Sequence, residues 1–233
     1  MEDTITARLA DSFNNPVPNG TTVSFTTEGG SIQPSCITGA NANGEIDPDQ
    51  PNTGTCSVIW TSSNPRPTDH RITILATAIG HETLVDSNGN NAYDDVDGLP
   101  ILDGTDSGFG LSNPTRSGFV DHSEAWRDDD EDGVRDNNEI FIDYNNDQNF
   151  NGPDGLFNGP QCQSNTLCGQ GQAASLHVRK AAVLIMSSSA VRYRIYNGSV
   201  FDIKAVALSR REPSMSIDFM PASKPSPVSD SYN

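Results

Sequence analysis

Basic residues are scarce in this chain, with 14 Lys and Arg against 31 Asp and Glu in 233 residues, a formal net charge of −17. A surface this acidic repels phosphate backbones and anionic head groups at long range, so nucleic acid is excluded as an expected partner. Long apolar runs are missing too. None approaches the roughly 18 residues that a membrane span requires, so direct membrane insertion is not expected. No secretory signal is visible at Met1, and the chain reads as an excised fragment or mature region. Aromatic residues make up only 7% of the chain while glycine and proline number 20 and 15. That balance favours short strands joined by many turns over long helices.

Catalytic signatures are equally thin. His70, His81, His122 and His177 have no zinc spacing, and no G-x-S-x-G elbow, Walker loop or dinucleotide fingerprint is present. Clustered carboxylates can serve as general acid and base or hold a catalytic metal, which makes a metal-dependent hydrolase the weaker alternative. The expectation is a protein that is not an enzyme. The four cysteines, Cys36, Cys56, Cys162 and Cys168, do not form the two C-x-x-C units of a zinc site. Two disulfides are the simpler reading, and they imply an oxidising compartment. Pairing between neighbours closes a 36–56 loop and a short 162–168 loop, although four cysteines permit three pairings.

What is present is alternation. Ile5, Ala7 and Leu9, then Val23 and Phe25, then Cys56, Val58 and Trp60, then Ile72, Ile74, Ala76 and Ala78 all repeat with a period of two, the mark of half-buried strands. Turn residues punctuate them at Asn15-Pro-Val-Pro-Asn-Gly20 and Asn64-Pro-Arg-Pro67. After His81 the pattern gives way to Asp, Asn and Gly until about residue 160, then resumes at Ser175 and runs to Met186. The expected fold is all-β, an immunoglobulin-like sandwich built from 1–85 and 172–188 and interrupted by a long, mostly irregular insertion, 86–171. Residues 189–220 read as strands of a second, incomplete β module. Residues 221–233, rich in Pro and Ser, read as a flexible tail.

The segments Ile5-Thr-Ala-Arg-Leu-Ala-Asp11, Asn15-Pro-Val-Pro-Asn-Gly-Thr-Thr-Val-Ser-Phe25 and Gly29-Gly-Ser-Ile-Gln33 resemble bacterial immunoglobulin-like domains of the invasin and intimin type. The resemblance covers a little over a third of the chain. It implies a stalk-like module on the bacterial surface, outer-membrane-associated or secreted, flanked by similar modules of a larger chain.

The insertion holds most of the charge: 18 of the 31 acidic residues lie between Asp86 and Asp154, against only Arg116, Arg127 and Arg135. Such density either keeps a segment disordered or is neutralised by bound cations. Asp128-Asp-Asp-Glu-Asp-Gly-Val-Arg-Asp-Asn-Asn-Glu139 fills an EF-hand-type calcium loop. Asp128, Asp130 and Asp132 stand at positions 1, 3 and 5, Gly133 at the turn, the Val134 carbonyl at 7, Asp136 at 9 and Glu139 at 12. Two weaker copies flank it. One comprises Asp86, Asn88, Asn90, Ala92, Asp94 and Asp97, with Asn91 at the turn. The other comprises Asp143, Asn145, Asp147, Asn149, Asn151 and Asp154, with Gln148 there.

A 15-residue repeat aligns Glu124, Glu139 and Asp154, Trp126 with Phe141 and Leu156, and Asp128 with Asp143. Each apolar residue of the repeat is expected to anchor its loop to a common small core, and Glu124 joins the candidate ligands. The flanks lack helix-length apolar patterning, so the loops resemble those of dockerins or thrombospondin type 3 repeats, a likeness restricted to the loops. Calcium, two ions or more, is the expected cofactor. The expected role is a surface adhesion or structural module stiffened by calcium. The alternative is a calcium-dependent module that binds a receptor or glycan on a host or neighbouring cell.

Overall fold

The computed structural model describes residues 1–11, 13–41, 43–47, 49–64, 66–98, 102–104, 107, 118–186 and 215–219. Eleven strands are found among them: β1 Glu2–Leu9, β2 Thr22–Thr27, β3 Ser31–Ile32, β4 Ser35–Ile37, β5 Thr55–Thr61, β6 Arg71–Gly80, β7 Thr83–Val85, β8 Leu102–Gly104, β9 Gly118–His122, β10 Leu176–Ile185 and β11 Met215–Phe219. The described part is all-β apart from a single 3-10 turn, Gly171–Ala174. Two four-stranded sheets, ordered β11-β1-β5-β3 and β10-β6-β2-β4, account for most of it.

The alternating residues explain why these sheets face each other. Ile5, Ala7 and Leu9 of β1 and Val58 and Trp60 of β5 project from one sheet, and Val23, Phe25, Ile72, Ile74, Ala76 and Ala78 project from the other. All are buried in one cluster, closed at the end of β10 by Met186. At roughly 1.5–3 kcal/mol for each large side chain removed from water, this core is the main stabilising element of the fold. The Cys36–Cys56 disulfide links β4 of one sheet to β5 of the other. Trp60 carries a polar atom into this core, and its indole N–H donates to the Gly29 carbonyl at 2.9 Å. Gly30, with φ +76°, lies so close that a Cβ there would sit 2.6 Å from the Trp60 ring. Only glycine tolerates both conditions.

β6 departs from simple alternation. Its other face, Thr73, Leu75 and Thr77, is buried as thoroughly as its core face. The insertion lies against it: Glu131 accepts the Thr73 hydroxyl, and Arg179 of β10, paired with Thr77, donates to the Ser123 carbonyl at 2.8 Å. A strand buried on both faces reads in sequence as a continuous run, which is what Ile72-Thr-Ile-Leu-Ala-Thr-Ala78 is.

The insertion begins earlier than residue 86. β7 leaves the sandwich directly after β6 and pairs with β9, which pairs in parallel with β8. Behind this small sheet lies a second core of Tyr93, Phe119 and Phe157, with Leu84, Cys162 and Leu167 against it. The three rings stand 4.9, 5.2 and 5.6 Å apart between centroids, two contacts edge-on and one stacked. The common core of the insertion therefore uses Tyr93, Phe119 and Phe157 rather than the repeat residues Trp126, Phe141 and Leu156. Of these last three, only Trp126 is fully buried. The Cys162–Cys168 disulfide closes the short loop beside this core. At the other end of the chain, Met215–Phe219 pairs in parallel with β1, along the edge of the first sheet. The remaining strands expected in 189–220 and the tail expected in 221–233 lie outside the described residues.

Candidate metal centre

In the central loop, the opening and closing carboxylates are fixed by backbone N–H groups. Asp128 accepts from Asp132 at 3.1 Å and Gly133 at 3.0 Å, while Glu139 accepts from Asp129 at 2.7 Å and Asp136 at 2.8 Å. Asp132 in turn accepts the Val134 N–H at 2.7 Å. The chain closes so tightly because Glu131 and Gly133 both take left-handed conformations, φ +57° and +79°. One oxygen each from Asp128, Asp130 and Glu139 lies within 4.8 Å of the others, which is a group able to hold a metal ion. Asp128 and Glu139 are buried, and burial raises the pKa of both from the ordinary carboxylate value.

The acids of this loop fall into two sets. Asp129 receives both Nε and a terminal nitrogen of Arg127, and Glu131 receives Arg71 Nε at 2.6 Å. Asp128, Asp130, Asp132 and Glu139 have no arginine or lysine ion-paired to them among the described residues. The acids whose side chains point away from the loop centre are thus neutralised by the protein. Of those at the ligand positions, Asp128, Asp130 and Glu139 converge, while Asp132 and Asp136 stand outside that group. Carboxylate oxygens in this arrangement suit a hard cation.

The same frame recurs in the first copy. Asp86 accepts the N–H groups of Asn90 and Asn91, Asn90 accepts that of Ala92, and Asp97 accepts those of Ser87 at 2.7 Å and Asp94 at 3.0 Å. Asn91, at φ +60°, fills the place of the turn glycine. Asp94 takes the side-chain amides of Asn88 and Asn90. Its pKa lies below the ordinary value, chiefly through the Val96 N–H.

The third loop repeats the opening half: Asp143 accepts from Asp147 and Gln148, and Asp147 from Asn149. Asn145 donates to Asn151 and Asp147. Its closing carboxylate is not Asp154. Glu124 takes that place, accepting the N–H of Tyr144 at 3.2 Å and of Asn151 at 3.0 Å. The 15-residue spacing placed Asp154 there because it counted along the chain, whereas the carboxylate arrives from the segment that enters the preceding loop.

Asp154 belongs to a fourth frame, assembled from three separate segments. Asp121 accepts the N–H of Asp154 at 3.1 Å and of Gly155 at 2.6 Å, and Asp154 accepts that of Leu156 at 2.8 Å. Glu82 closes the frame, accepting from His122 at 2.7 Å and Asn158 at 2.9 Å. Each bond has its counterpart in the central loop, with Gly155 at φ +77° in the turn position. Glu82 is fully buried, and burial drives its pKa up to about 8 against the partial opposition of those two N–H donors. Glu82 and Asn158 escape sequence reasoning, and Asp121 has no diagnostic spacing, because more than 30 residues separate the opening Asp from the turn. The only local trace is Asp154-Gly155-x-x-Asn158, half a loop without its beginning.

The four frames stand in two pairs. Tyr93 and Phe157, in equivalent places of the first and fourth, stack in the insertion core. Arg135 and Phe150, in the same places of the central and third loops, meet as a cation over a ring at 4.6 Å, and Arg135 also lies 4.8 Å from the Phe141 ring. No family model, curated protein or solved structure matches this chain.

Proposed function

We propose that this chain is an extracytoplasmic structural or adhesion module in which calcium orders and stiffens an insertion seated on an immunoglobulin-like sandwich. The observation that carries this reading is the division of acids in residues 128–139. Arg127 and Arg71 neutralise Asp129 and Glu131, while the carboxylates of Asp128, Asp130 and Glu139 gather around one point with no arginine or lysine ion-paired to them among the described residues. The two disulfides support an oxidising environment. The resemblance of residues 1–85 to invasin and intimin modules supports the stalk-like role.

Asp128, Asp130, Asp132, the Val134 carbonyl, Asp136 and Glu139 would hold the ion of the central loop. The other frames would use Asp86 to Asp97, Asp143 to Asn151 with Glu124, and Asp121 with Asp154, Asn158 and Glu82. Calcium would supply positive charge among these buried and crowded carboxylates. Ions that bind the ordered insertion and not the unfolded chain stabilise it by about 2.7 kcal/mol per site at a hundredfold excess over Kd. The role of the protein is then mechanical: a surface module whose rigidity follows the calcium outside the cell.

The test is calorimetric titration of chelator-stripped protein with calcium, paired with thermal melts of wild type and Glu139→Gln. Saturable heat and a raised Tm, both reduced in the variant, are the expected results. Absence of both returns the insertion to a self-supporting acidic unit and removes the calcium reading.

A further inference from the structure

The central and third loops do not share a ligand, yet each is closed by a residue that stands four places ahead of the other's opening Asp. Glu139 closes the central loop and leads into Asp143. Glu124 closes the third loop and leads into Asp128. The two lead-in segments, 124–127 and 139–142, are themselves paired. Arg127 N–H donates to the Ile140 carbonyl at 2.8 Å, Ile142 N–H donates to the Ala125 carbonyl at 2.7 Å, and Trp126 bridges Phe141 in antiparallel fashion. Glu124 N–H further donates to the Asn151 carbonyl at 3.0 Å.

Arg135 adds a second link. It rises from the central loop, donates to the Glu139 carbonyl at 3.1 Å and places its guanidinium against Phe141 and Phe150 of the neighbouring loop. Its charge is held there by two ring faces rather than by a carboxylate.

We infer that calcium binding at the central and third loops is reciprocally coupled, each occupied loop raising the affinity of the other, through Arg135 and the paired segments 124–127 and 139–142. The inference rests on the calcium reading above. Fixing Glu139 over one ion fixes segment 139–142, and its partner segment then carries Glu124 into place over the third loop. The second ion meets backbone that the first has already ordered, so its entropic cost is smaller. The same contacts run in the other direction, and thermodynamic linkage requires the two effects to be equal.

The test uses the full chain, stripped of metal and titrated with calcium alone. The Gly133 and Gln148 amide resonances report the central and third loops separately, since these N–H groups are bound by Asp128 and Asp143. In Glu139→Gln the third loop is expected to lose about tenfold in affinity, and in Glu124→Gln the central loop is expected to lose the same factor. Arg135→Met keeps every carboxylate, so it reads the link even if a ligand variant fails to fold. In it, both loops are expected to titrate with weaker constants and a smaller coupling factor, since only the paired segments still join them. Wild-type binding, with surviving-loop constants unchanged in the ligand variants or with Arg135→Met titrating as wild type, overturns the coupling alone. Wild type that takes up no calcium at either loop overturns the calcium reading and the coupling with it.

Discussion

Glu124 and Tyr144 lie twenty residues apart, and the Glu124 carboxylate accepts the Tyr144 N–H at 3.2 Å while its second oxygen accepts that of Asn151 at 3.0 Å. A single side chain thereby pins both ends of the third loop. Glu124→Gln replaces one acceptor oxygen with an NH2 that faces an N–H donor, at a cost of about 1–3 kcal/mol. Faster hydrogen exchange at Tyr144 and Asn151 is the expected signature. Asp154→Asn should leave those two amides protected and instead speed exchange at Leu156. Equal effects of both variants on Tyr144 would contradict the assignment.

The pH dependence of the cation-free protein follows from Glu82. Its pKa is raised to about 8, so between its ordinary value and 8 the folded protein holds a proton that the unfolded chain has released. The unfolded state binds fewer protons there, and stability falls as pH rises. His177, whose pKa burial lowers, works in the opposite direction, but its contribution is complete by its ordinary value of 6.5. In chelator, stability is therefore expected to drop by about 1–2 kcal/mol between pH 6.5 and 8. Calcium should flatten the decline, and denaturant melts at the two pH values with and without chelator check both parts.

Two arginines neutralise the outward acids of the central loop in different surroundings. The Arg71 side chain is 44% exposed, so its pair with Glu131 is screened, and Arg71→Met should change stability little. The Arg127 side chain is only 6% exposed beside Asp129. Removing it leaves a poorly solvated carboxylate, and Arg127→Met should cost about 3 kcal/mol. Chemical denaturation of the two variants, in saturating calcium, measures the difference.

Gly30→Ala forces a Cβ against the Trp60 ring in a left-handed backbone. The ring cannot retreat without releasing the Gly29 carbonyl, so a loss of about 2–4 kcal/mol is expected, with a shift in tryptophan fluorescence.

The disulfides should differ in worth. Cys36–Cys56 spans 20 residues and Cys162–Cys168 spans 6. On chain entropy alone, losing the first costs about 3 kcal/mol and losing the second about 2. Thermal melts of the paired Cys→Ser variants give the order, and the reverse order would show that the short loop carries the insertion core.

The strands of the sandwich were legible because burial on one face of a pleated strand leaves a period of two in the residues themselves. Ile5, Ala7 and Leu9, or Val58 and Trp60, carry that mark wherever their partners lie. The central loop was legible for a related reason. Asp128 to Glu139 are contiguous, so the turn at Gly133 and the reach of each carboxylate are local geometry. The turn-tolerant Asn91 was readable on the same terms, while neighbour pairing of the cysteines was one of three pairings the sequence permits.

Glu82 shows where such reading stops. Nothing near it in the chain marks a closing carboxylate, and its partners His122 and Asn158 come from segments 40 and 76 residues away. The small core followed the same rule: Tyr93, Phe119 and Phe157 share no spacing. The sequence by itself determined the β pattern, the disulfide-compatible chemistry and the contiguous acidic loops, since each depends on neighbours within one turn or one strand. Tertiary structure alone decided that Glu124 closes the third loop, that Asp121, Asp154 and Glu82 form one frame, and that Thr73, Leu75 and Thr77 lie under the insertion. These are long-range contacts, fixed by which surfaces pack together, and packing leaves no periodic trace in the chain.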